Sequence, residues 1–76
     1  MNNKRRELLR NAMDLLDKAS SMVQSALDSE QDCFDNMPEN LLDSEKCRKM
    51  EDAIERLEEA LDQMESAKDC IGEAFN

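Results

Sequence analysis

Apolar residues in the first half of the chain recur at steps of three and four. Leu8, Leu9, Ala12, Leu15, Leu16 and Ala19 begin the series, and Met22, Val23, Ala26 and Leu27 continue it. This spacing places them on one broad side of an amphipathic helix, predicted over about residues 3–36. A second run behaves alike. Met50, Ala53, Ile54, Leu57, Ala60 and Leu61 lead into Met64, Ala67, Ile71, Ala74 and Phe75, which predicts a helix over about residues 44–75. Ser44 is suited to cap its start, with Glu45 where the helix dipole favours an anion. Gly72 weakens the last turn, so fraying is expected there.

The two runs are separated by NMPENLLDSEK, which holds the only proline. Pro38 lacks an amide donor and disfavours helix at Met37. Asn36, Asn40, Asp43 and Ser44 supply turn and cap chemistry. A connection over residues 37–43 falls in the range for antiparallel helix pairs. The chain is therefore expected to be all-α, a single helical-hairpin domain spanning residues 1–76.

Heptad ladders suggest how the helices face each other. Ala12, Ala19 and Ala26 repeat every seventh position, as do Ala53, Ala60 and Ala67. Folding the chain back can pair Ala12 with Ala67, Ala19 with Ala60 and Ala26 with Ala53. The same register sets Leu8 against Ile71, Leu15 against Met64 and Met22 against Leu57, with the corner between Glu39 and Asn40. A coiled-coil-like, alanine-rich seam is the expectation, since small residues allow close approach. That leaves Leu9, Leu16, Val23, Leu27, Ile54 and Leu61 outside. A wet stripe of this length exceeds what monomers usually expose. The expected cover is a second copy, giving a dimeric four-helix bundle, with a host protein as the rival occupant.

Composition narrows the classes. The 76 residues carry a net charge of −9, with 38% charged residues and no His, Trp or Tyr. So small a chain has little core of its own and gains from a partner. No run reaches the length of a membrane span, so a soluble, cytoplasmic protein is expected. Three cysteines without a CxxC pair do not make a disulfide framework or a zinc site. The negative charge and the lack of aromatics among the basic residues argue against duplex DNA.

Candidate chemistry is sparse. Glu51, Glu55, Glu58, Glu59 and Asp62 form an acidic face on the second helix, read as a solvated surface or as a contact for a basic partner. Arg5, Arg6 and Arg10 crowd the first helix start, where free amides could help hold an anion; the alternative is cross-helix pairing of Arg6 with Glu73 and of Arg10 with Asp69. Cys33 and Cys47 fall nearly level, as buried free thiols rather than a bridge. Asp28 to Glu39 has the offsets of a calcium loop, but Cys33 stands where that loop needs Gly. No base neighbours a nucleophile and no glycine-rich phosphate loop is present. No catalytic residue, metal or cofactor is expected, and the protein is read as a non-enzyme.

The corner NMPENLLDSEK, followed by MEDAIERLEEALDQMESA, resembles small helical-hairpin proteins encoded by phages and prophages of Firmicute bacteria. Leu42 departs from the Gln usual in that corner. The resemblance implies a phage-related origin, a bacterial host cell as the location and no assigned chemistry. It favours a protein that binds a host protein stoichiometrically, such as an inhibitor of a defence protein, through the acidic or the apolar face. The alternatives are a bundle that sequesters a phosphorylated small molecule or nucleotide, and a purely structural bundle.

Overall fold

The structure, a computed structural model, describes residues 1–75 and consists of two long antiparallel helices. Helix α1 spans Asn3–Asp35 and helix α2 spans Glu45–Phe75, with a short 3-10 turn at Glu39–Leu41 between them. The hairpin is a rod of 59 × 15 × 13 Å. No helix among the described residues is long and apolar enough to cross a membrane.

Each helix end has a local cause. The Asn2 side chain accepts from the Arg5 amide at 2.8 Å and so caps α1. Asn36 closes that helix, donating from both its backbone and its side chain to the Asp32 carbonyl at 3.1 and 2.8 Å. Pro38 then holds extended backbone and accepts from the Leu41 amide at 2.9 Å, which tightens the corner. Ser44 Oγ accepts from the Cys47 amide at 3.1 Å while donating to the Leu41 carbonyl at 2.6 Å. This one hydroxyl caps α2 and ties it to the turn. Helix α2 continues through Gly72 to Phe75, since the helical backbone there asks nothing unusual of glycine.

The helices meet in a register different from that expected of matched alanines. Ser20 Oγ donates to Met64 Sδ at 3.5 Å, and Lys68 Nζ donates to Asp17 at 2.8 Å. Arg10 lies 5.7 Å from the centroid of the Phe75 ring. Ser20, not Leu15, is thus level with Met64, a slide of more than one helical turn. The seam follows steps of three and four through Leu9, Met13, Leu16, Val23, Leu27 and Phe34 on α1. On α2 it runs through Cys47, Ile54, Leu57, Leu61, Met64 and Ile71. Cys47 and Ile54 are its most buried members, at 1% and 8% exposure.

The expected roles of two α1 rows are therefore exchanged. Leu8, Leu15 and Met22 were expected inside and are 67%, 65% and 73% exposed. Ala26 and Ala67 are exposed, while Ala12, Ala19, Ala53 and Ala60 are half-buried at the seam's edge. Leu9, Leu16, Val23, Leu27, Ile54 and Leu61, expected as an outer interface, are half-buried or buried within the hairpin. Burial gains scale with apolar area. A seam of Leu, Val, Ile, Met and Phe removes more of it from water than one built on alanine.

Candidate functional site

Once the seam is fixed, helical geometry sorts every other residue onto one of two flanks. One flank is defined by contacts. Gln31 and Phe34 of α1 share a groove of about 390 Å³ with Glu51, Ile54, Glu55, Glu58, Glu59 and Asp62 of α2. Asp17, Arg10 and Gly72 lie on this same side, where Lys68 reaches Asp17, Arg10 covers Phe75, and Gly72 faces the Met13 methyl.

The alanine ladders occupy the opposite side of the seam on both helices. Ala12, Ala19 and Ala26 of α1 and Ala53, Ala60 and Ala67 of α2 thus flank one shallow trough. Leu8, Leu15 and Met22 stand along its α1 rim, more than 60% exposed. Steps of four and three through Leu8, Ala12, Leu15, Ala19, Met22 and Ala26 give α1 a second coiled-coil row, with no partner within the chain. The ladders do share a side, as their matched spacing suggests, but they lie beside the contact rather than in it.

The acidic flank gathers the five predicted carboxylates around a floor of Phe34 and Ile54. Glu51, Glu55, Glu58 and Asp62 have no ion-pair partner among the described residues, whereas Arg56 meets Glu59 at 3.1 Å. Unpaired carboxylates around a partly apolar floor suit a cationic, amphipathic surface. The sequence reading found the carboxylates and missed the floor. Phe34 was visible at helical spacing, but only the correct register shows that Ile54 lies beside it.

Lys68 was also missed. Its side chain is only 18% exposed and bridges Asp17 at 2.8 Å and Glu65 at 3.0 Å. Its hydrogen bond to Asp17, then that to Glu65, holds the ammonium above the ordinary value of 10.5. The available signal was a lysine in step with Leu61, Met64 and Ile71, inside an otherwise apolar row.

The arginines do not converge. Arg6 is half-buried on the seam side, Arg10 lies over Phe75, and Arg5 is exposed, turned about 100° from Arg6 around the helix. Neither Arg6 with Glu73 nor Arg10 with Asp69 is an ion pair in the structure, because the register carries α2 past those positions. Cys33 is exposed and Cys47 buried, and both are free thiols with Cys70. The calcium-like stretch is helical through Asp35. No group of three or more metal-ligating side chains gathers among the described residues.

Comparison with known proteins finds no matching family model, curated protein or solved structure.

Proposed function

We propose that this chain is a non-enzymatic helical interaction module that acts by stoichiometric binding. In this reading it works as a homodimer. Its apolar flank closes on a second copy, and its acidic flank is left for a basic surface of a host protein. The observation that carries the reading is the division of the hairpin. Three large apolar side chains are 65–73% exposed along one flank, while unpaired carboxylates surround a Phe34–Ile54 floor on the other. A monomer would gain nothing from so regular an exposed row. The phage-like corner fits a small protein that occupies a host target rather than transforming it.

The acidic flank is tested by calorimetric titration with a defined helical peptide rich in Lys, Arg and Leu. Binding is expected at low salt and is expected to weaken as salt rises. Reversal at Glu55→Lys and Glu58→Lys should abolish it while leaving helix content unchanged. Equal affinity in wild type and double variant would show that this flank is not the contact.

A further inference from the structure

We infer that the apolar flank is occupied by a second copy of this chain, packed antiparallel so that α1 lies against its counterpart. This deepens the dimer reading above and rests on it. The occupant follows from self-complementarity. In an antiparallel pair of α1 helices one register sets Leu8 level with Ala26 of the other copy, Leu15 with Ala19, and Met22 with Ala12. Every such layer then joins a large side chain to an alanine, so ridges fill gaps along the whole row. Two-fold symmetry makes each contact twice, as an isologous interface requires.

Charge gives a separate argument for the same register. The first turns of α1 carry Lys4, Arg5, Arg6 and Arg10, and its last turns carry Asp28, Glu30, Asp32 and Asp35. The register that matches the apolar layers brings Lys4 level with Glu30 of the other copy, and both residues border the outer row of α1. The opposite arrangement, with both corners at one end, would crowd the acidic ends of the two α1 helices together.

The area suffices. The α1 row from Met1 to Cys33 is about 48 Å long and about 10 Å wide, and the overlapping part of the α2 ladder adds about half as much. Each copy thus offers roughly 700 Å², near the ~800 Å² per partner of a standard interface. Around the two-fold axis the α2 ladders meet alanine to alanine, at Ala67 and between Ala60 and Ala74, which lets the sheet-like pair of hairpins close. The corners, and with them the acidic grooves, remain free at the two tips.

Light scattering after size exclusion should give twice the 8.7 kDa of the chain. Leu15→Glu with Met22→Glu should return the mass to one chain with helix content unchanged, because both positions are exposed within the hairpin. A wild type that stays at one chain mass across a wide concentration range overturns the inference, and so does a double variant that stays dimeric. Orientation is read by oxidation in a Cys33→Ser, Cys70→Ser background. A Leu8→Cys chain mixed with an Ala26→Cys chain should link into a covalent dimer. Linking of Leu8→Cys chains to themselves, with none to Ala26→Cys, overturns the antiparallel arrangement. The peptide titration is read on the other flank, so either result stands without the other.

Discussion

Helix α1 carries two apolar rows of the same period, and only one of them touches α2. The inner row, through Leu9, Leu16, Val23 and Leu27, is half-buried against α2, while the outer row leaves Leu8, Leu15 and Met22 65–73% exposed. Both rows satisfy the heptad rule. What separates them is the size of the residues between the leucines. The inner row interleaves Met13, Leu27 and Phe34 with a single small residue, Ser20, whereas the outer row interleaves alanines throughout. The first arrangement buries the most area against one helix. The second leaves gaps that only a second set of ridges can fill.

Truncation on the inner row should have the largest effect. Ile54 is 8% exposed at the centre of the seam, so Ile54→Ala is expected to cost about 2–4 kcal/mol. For a hairpin this small that approaches the entire stability. Loss of the cooperative thermal transition, followed by circular dichroism, is the readout. A melting curve like that of wild type would mean the seam lies elsewhere.

Thiol chemistry distinguishes the same two environments without altering the fold. Cys47 is 1% exposed, whereas Cys33 and Cys70 are exposed. In dilute solution, where the hairpin stands alone, two thiols per chain should react at once with a chromogenic disulfide reagent, and the third only as the hairpin opens. Three equally fast thiols would contradict the burial of Cys47.

How much of this could be read beforehand follows from the two rows. Helix existence, the Ser44 cap and the Pro38 corner rest on local chemistry, which the sequence states outright. Register rests on a choice between rows of identical period, and periodicity is blind to that choice. Matched alanine ladders on both helices are a correct pattern, but they specify a shared flank rather than a shared seam. The better guide was bulk. In the observed register Phe34, Leu61 and Phe75 are half-buried and Ile54 is buried. The acidic carboxylates were legible because charge on a helix face needs no register; their apolar floor was not, because it takes one residue from each helix.

Glycine and lysine substitutions refine the inner row with smaller effects. A Cβ built at Gly72 would stand 3.9 Å from the Met13 methyl, an ordinary contact, so Gly72→Ala should raise stability by about 0.5–1 kcal/mol. A lower melting temperature would show that α2 does not pack there as described. Lys68 gives a pH signature. Its pKa is raised in the folded state by Asp17 and then Glu65, so its contribution is complete below the ordinary 10.5 and fades as pH rises through the folded value. The melting-temperature gap between wild type and Lys68→Met should be constant at neutral pH and shrink in the alkaline range. A gap that widens there would place Lys68 outside the seam.

The outer row should show almost nothing, and that is its diagnostic. Leu15 is 65% exposed, so within a lone hairpin Leu15→Ala removes little buried area and should change stability by less than about 0.5 kcal/mol. Alanine also has the higher helix propensity, which offsets part of even that. The same substitution in a dimer would empty two layers, and mass action ties dimerisation to concentration. Melting curves of wild type and Leu15→Ala should therefore coincide in dilute solution and separate as concentration increases. Coincidence at every concentration would leave the second row without a use, whereas separation even in dilute solution would mean that Leu15 belongs to the hairpin's own core.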